Sequence, residues 1–134
     1  MRPLSDKGLH QADAITSWFA GRAVDRTLSS SSVRCVQTLE PLARDRGLDI
    51  EAHDALYEGA SVAATTALIW DLASHGTDAV LSSHGDVIPN ALDGLAGDGV
   101  DVEVGHGLPK GTLYVLDVDG DGAITTARFV DPRR

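Results

Sequence analysis

Apolar residues recur along the chain at two alternating spacings, and the alternation predicts an α/β domain. Ser5 is a ready N-cap. Behind it Leu9, Ala12, Ile15 and Phe19 fall on one helical face, so a first helix is expected to about Ala20, with Gly21 able to end it. Arg26 to Ser30 reads as a short strand. Val33, Val36, Leu39 and Leu42 then mark the inner face of a second helix over 33–46, closed by Gly47. Pro41 lies inside this helix, and a kink or break is expected near it because proline removes a backbone donor. Asp49 to Ala52 suits a second strand, and Ser61 to Ser74 a third helix ended by Gly76. Ala79-Val80-Leu81 is a short apolar run of the kind found in buried parallel strands, within a strand from Asp78 to Ser83. A weaker helix follows over 87–96.

The tail changes period. Thr112 to Val118 and Ala123 to Val130 flank Asp119-Gly120-Asp121-Gly122, the pattern of a β-hairpin. The expected fold is therefore a three-layer α/β domain with a largely parallel sheet, an antiparallel edge and a C-terminal hairpin. In such sheets ligands sit at the carboxyl ends of the strands.

Composition narrows the field without naming a function. The 134 residues suit one domain, and 43% hydrophobic residues are enough for a core. A net charge of −9 argues against a nucleic-acid partner, which demands clustered Lys and Arg. A small phosphorylated ligand remains compatible, because one or two pocket arginines outweigh global charge locally. The single cysteine, Cys35, forms no intramolecular disulfide, and no run reaches membrane-span or signal-peptide length. A cytoplasmic protein with no membrane partner is expected.

Two strand ends carry candidate chemistry. In Leu28-Ser29-Ser30-Ser31-Ser32-Val33-Arg34 a strand runs through small residues into a helix whose first turn holds an arginine. Backbone N–H groups there could receive an anion and Arg34 could clamp it; the alternative is a serine cap with a solvated arginine. In Val80-Leu81-Ser82-Ser83-His84-Gly85-Asp86 an imidazole follows a strand directly. His84 is suited to contacting a phosphoryl group or to nucleophilic attack, or it is a satisfied strand-end histidine. Glu58, in the loop Leu56-Tyr57-Glu58-Gly59, could protonate a leaving oxygen or be a solvated loop residue. Asp86 is a second candidate acid, or the N-cap of the fourth helix.

Other signals are weaker. His10, His53, His75 and His106 show no ligand spacing and read as surface or capping residues. Asp117 to Gly122 matches the first half of a calcium loop, but the twelfth position is Arg128 instead of glutamate, so a hairpin turn is preferred. Lys110-Gly111-Thr112 lacks the glycine spacing of a P-loop, and there is no Gly-x-Ser-x-Gly elbow.

In this order the segments resemble the histidine phosphatase superfamily, the phosphoglycerate mutase-like proteins. Arg2 to Ala12 is similar to the segment that opens the family's first helix. Ser29 to Ala43 is similar to its serine-proline-arginine motif, with Arg34, Gln37 and Thr38 matching and Ser31 in place of the usual proline. Ser82 to Asp86 looks like the second catalytic-histidine motif, and Leu108 to Thr112 resembles the start of the late strands. The small size is closest to the phosphohistidine phosphatase branch.

The resemblance implies a phosphoglycerate mutase-like fold and hydrolysis of a phosphomonoester or phosphohistidine through a phosphohistidine intermediate. It implies Arg34 as a phosphate clamp, His84 as the histidine that stabilises the transferring phosphoryl group, and Glu58 as general acid. No metal or other cofactor is implied, since positive side chains stabilise the charge. The partner would be a small phosphorylated substrate or a phosphoprotein. The family opens on a strand ending in Arg-His-Gly whose histidine is the nucleophile, and no such segment precedes Arg2. The expectation is thus one domain over 1–134, short of its first central strand by roughly 25 to 40 residues. Such a chain would be inactive by itself. Some relatives carry this domain behind a Nudix domain, so one could lie upstream, and a homodimer could complete the sheet. The rival expectations are a non-catalytic phosphate-binding protein, a degenerate fragment, and an unrelated doubly wound enzyme using Asp86 or Glu58.

Overall fold

A computed structural model describes residues 4–133. The elements alternate as the periodicity demands: α1 (Asp6–Trp18), β1 (Arg26–Ser29), α2 (Val33–Arg46), β2 (Ile50–Ala52), a 3-10 turn (Asp54–Leu56), α3 (Val62–Ser74), β3 (Ala79–Ser82), α4 (Val87–Gly97), β4 (Asp101–Val102), β5 (Leu113–Val118) and β6 (Ile124–Val130). Local chemistry sets the ends. Ser5 accepts the Gly8 N–H at 3.2 Å and starts α1. Gly47 ends α2 in the left-handed region at φ 66°, which costs glycine no Cβ clash.

The strands divide between two sheets. The first is wholly parallel in the order β2-β1-β3, and the second has the order β4-β6-β5, with β4 parallel and β5 antiparallel to β6. The expected antiparallel edge is thus part of a separate sheet. The hairpin forms as its turn residues dictate, with a register irregularity at Asp117/Val118. Gly122, at φ 80°, lets the turn run against the end of α3, where a Cβ would stand 3.0 Å from the Ser74 Cα.

Strand alternation decides which helices cover which face. Leu28 and its register partner Leu81 join Leu56, Leu68 and Leu72 in one cluster, so α3 lies on that face. The paired helices α1 and α2 pack from the other side, burying Ala12, Ile15, Leu39 and Leu42. The opposite side of α3 serves the second sheet: Ala73, with Ile69 and Trp70, packs with Leu95, Ile124 and Ala127. A single apolar helix therefore ties both sheets together.

Several expectations need correction. Helix α2 runs unbroken through Pro41. The Gln37 carbonyl that loses its donor is at a half-buried position beside an open hollow of about 300 Å³ bounded by Gln37, Glu40, Pro41 and Arg44, while Leu39, Leu42 and Ala43 hold the helix to the core. Leu9 and Val33, expected on inner helical faces, are 44% and 40% exposed, each in the first turn of its helix. Strand β3 is half-buried instead of buried: among the described residues it forms one edge of the parallel sheet and β1 is central. Strand β4 and the 3-10 turn, of two and three residues, are too short to leave a periodic signature. No helix among the described residues is long and apolar enough to cross a membrane.

Candidate phosphate site

All three strands of the first sheet run parallel, so β1, β2 and β3 end at one edge, and the ladder continues just past them. Ser30 donates its N–H to the Ser82 carbonyl at 3.0 Å and His53 to the Ser29 carbonyl at 2.9 Å. This brings the two segments singled out in the sequence side by side. Ser29 and Ser30 are wholly inaccessible and Ser32 almost so, which requires internal partners for their hydroxyls. Ser29 donates to the Ser30 carbonyl at 2.7 Å, and Ser30 Oγ accepts the Ser32 N–H at 3.3 Å. No buried side-chain nitrogen or oxygen among the described residues lacks a partner.

His84 follows β3 and sits half-buried in this cradle. Its Nε2 lies 2.8 Å from Ser30 Oγ. The Cys35 thiol, in the first turn of α2, approaches Nε2 at 3.8 Å and Nδ1 at 4.0 Å. The Tyr57 ring meets the imidazole edge-on, with centroids 6.0 Å apart. Burial pushes the Cys35 thiol pKa up, against hydrogen bonds from Ser82, Ser30 and Ser32 and the nearby Arg34 charge. The thiol is therefore a packing group at neutral pH, because a nucleophilic cysteine needs the thiolate.

Arg34 stands next to Cys35 on α2. Its side chain is exposed, and its guanidinium has no hydrogen bond or ion pair among the described residues. By contrast Arg26 is held by Glu51, Arg128 by Asp117 and Arg133 by Asp131. The Arg34 cation is thus uncommitted among the described residues.

Glu58 is exposed and its carboxylate has no hydrogen bond or ion pair among the described residues, but the loop backbone around it is held on both sides. The Ser83 hydroxyl donates to the Leu56 carbonyl, and Gly59 donates its N–H to Asp86 Oδ2 at 3.3 Å. These two bonds clamp the 56–59 loop onto the 83–86 turn and carry Tyr57 against His84. Asp86 does occupy the N-cap position of α4, yet its side chain makes no capping bond and is spent on the loop. The structure therefore brings together His84 with Ser30, Cys35 and Tyr57, and sets Arg34 and Glu58 beside them; no direct contact joins Arg34, Glu58 and His84.

The remaining histidines lie elsewhere. His53 caps the 3-10 turn through its Nδ1, His75 ends α3 beside Asp71, His106 stacks on Phe129 and pairs with Glu103, and His10 is exposed on α1. Asp117 is gripped by Arg128 and Thr126, and Asp119 Oδ1 accepts the N–H groups of Asp121 and Ala123, so the calcium-like segment is a hairpin turn. Ser30, Cys35 and Tyr57 were not singled out by sequence. Ser30 lay within an apparently featureless serine run, and its place four residues before Arg34 at a strand end was the available signal.

Fold and cradle define an α/β domain with a basic and histidine-bearing polar site at the carboxyl edge of a parallel sheet. The model of the histidine phosphatase superfamily (branch 1) matches residues 2–65, which include Arg34 and Glu58. Of that match, Arg2 and Pro3 lie outside the described residues. An 8-oxo-(d)GTP phosphatase of Mycolicibacterium smegmatis is 28% identical over 98% of the chain. The chain spans 41% of that relative's length. Among solved structures, the protein histidine phosphatase SixA complexed with tungstate superposes with a TM-score of 0.72, covering 99% of this chain and 86% of that one at 22% identity, a likeness of fold. A candidate phosphohistidine phosphatase SixA from Agrobacterium tumefaciens gives a TM-score of 0.59 at 28% identity, over 73% of this chain and 64% of that one. Together these findings show the α/β fold of the SixA structures and a match to the histidine phosphatase superfamily over residues 2–65.

Proposed function

We propose that the cradle binds the phosphoryl group of a phosphomonoester or phosphohistidine and that the protein's activity is that of a histidine phosphatase. The observation that carries this reading is the contact of the His84 imidazole with Ser30 and Cys35 at the carboxyl ends of adjacent parallel strands, with Arg34, which has no ion pair among the described residues, next to Cys35 in the first turn of α2. Arg34 clamps two phosphoryl oxygens through its fork. His84 donates to a third oxygen as charge shifts onto it in the transition state. Glu58, on the loop that is clamped to the 83–86 turn, protonates the leaving oxygen and then takes a proton from the attacking water. Asp86 positions this loop. The substrate is a small phosphorylated molecule or a phosphoprotein: the mycobacterial relative supports a nucleotide-derived phosphate, and the SixA structures support a phosphohistidine.

The covalent step needs a histidine nitrogen that attacks phosphorus as the ester P–O bond breaks. Among the described residues only His84 faces the cradle, and in this reading it is the stabilising histidine. A second reading follows from that observation: the 134-residue chain alone binds phosphorylated ligands without turning them over. Incubation with labelled acetyl phosphate and p-nitrophenyl phosphate separates the two. A labelled, acid-labile phosphoenzyme with turnover supports the phosphatase; Arg34-dependent phosphate binding without either supports a binding protein. Absence of any phosphate or tungstate binding overturns both.

A further inference from the structure

The bond between Ser30 and His84 has a direction, and proton accounting sets it. Ser30 Oγ carries one hydrogen and two lone pairs. One lone pair receives the Ser32 N–H at 3.3 Å. The 2.8 Å contact to His84 Nε2 then runs one of two ways. If the ring donates, Ser30 accepts twice and must send its own proton to the Cys35 sulfur, a weak acceptor. If Ser30 donates, a strong O–H donor meets the strong lone pair of an imidazole nitrogen, and the Ser30 hydroxyl spends its proton on a strong acceptor. The second arrangement is the better bonded one in a site where Ser30 is completely inaccessible.

We infer that Ser30 is a positioning residue that fixes His84 as its Nδ1–H tautomer by donating its hydroxyl proton to Nε2. The consequence concerns what the ring offers a ligand. Nδ1 is 4.0 Å from the Cys35 sulfur and has no nitrogen or oxygen partner among the described residues. Its N–H is therefore the donor left for an incoming oxyanion, and a neutral imidazole supplies it. With the proton on Nε2 the same position would present a lone pair, which repels an oxyanion. Only this last consequence rests on the phosphate-site reading. The tautomer stands on the hydrogen-bond geometry alone.

Long-range proton–nitrogen correlation NMR on ¹⁵N-histidine-labelled protein tests it. On the alkaline side of its titration His84 in the wild-type chain is expected to show the Nδ1–H pattern. Ser30→Ala moves the population to Nε2–H, Ser30→Thr restores it, and Cys35→Ala leaves it in place. Tungstate or inorganic phosphate then binds Ser30→Ala about fivefold more weakly, the worth of one ordinary hydrogen bond. An Nε2–H pattern in the wild-type chain overturns the inference even if no variant folds, and so does an unchanged tautomer in a folded Ser30→Ala. The Nδ1–H pattern with no oxyanion binding upholds the positioning role and sinks the phosphate site instead.

Discussion

Arg34→Ala separates binding from folding more cleanly than any other change in this molecule. The side chain is exposed and makes no hydrogen bond or ion pair among the described residues, so its removal breaks none of their bonds. Stability should stay within about 0.5 kcal/mol of wild type, the usual range for surface substitutions. For a domain of this size that is a melting shift of roughly 2 °C. Binding is another matter. Charge-assisted hydrogen bonds contribute about 1.5–3 kcal/mol net. Exposure and salt screening put Arg34 at the lower end of that range. A loss of about 1.5 kcal/mol weakens phosphate or tungstate binding roughly tenfold. Lysine at this position keeps the charge and loses the fork, so Arg34→Lys should fall between the two. Isothermal titration of the three proteins with tungstate at low and at physiological salt, beside a thermal melt of each, measures both quantities. Unchanged affinity in Arg34→Ala refutes the clamp. A loss of affinity matched by a large loss of stability refutes the claim that Arg34 is structurally idle.

Four further outcomes follow from the structure. Leu28→Ala empties a fully buried site between β1 and α3 and should cost about 2–5 kcal/mol in urea denaturation; a cost under 1 kcal/mol would mean that this cluster is not core. Gly122→Ala forces a positive-φ side chain against Ser74 and should lower the melting temperature, whereas Gly120→Ala, with open space around it, should change it far less. Hydrogen bonds from Arg128 and Thr126 hold the Asp117 carboxyl below the usual carboxylate range. A depressed folded pKa adds stability above the ordinary aspartate value near 3.9, lost as pH falls through the lower folded value. Because the pair is partly exposed the contribution is below about 1 kcal/mol, and Asp117→Asn should flatten the stability curve only in that acid window. The raised thiol pKa and burial of Cys35 predict slow alkylation at pH 7 that accelerates on unfolding; rapid labelling of the native protein would contradict both.

What the linear chain determined was whatever depends on neighbours within a turn or a strand. The serine cap at Ser5, the Gly47 stop, and the hairpin at Asp119 to Gly122 obey rules that span at most a few residues, and all form as read. The placement of Arg34 in a first helical turn and of His84 just past a strand was legible for the same reason. Pro41 does not break the helix, because the penalty for a lost donor is local while the burial of Leu39 and Leu42 that offsets it is tertiary. The division of the strands into two sheets, and the role of α3 in joining them, depend on which apolar faces meet across crossovers. The site belongs to that second kind. Ser30 and His84 are 54 residues apart, and nothing in either segment names the other as its partner. The pairing of β1 with β3 puts a buried hydroxyl within 2.8 Å of an imidazole, and the low dielectric there makes the direction of one proton matter. Glu58 and Asp86 were both candidate acids in sequence, Glu58 the first by resemblance. That Asp86 accepts the Gly59 N–H across 27 residues is a tertiary fact that neither segment announces.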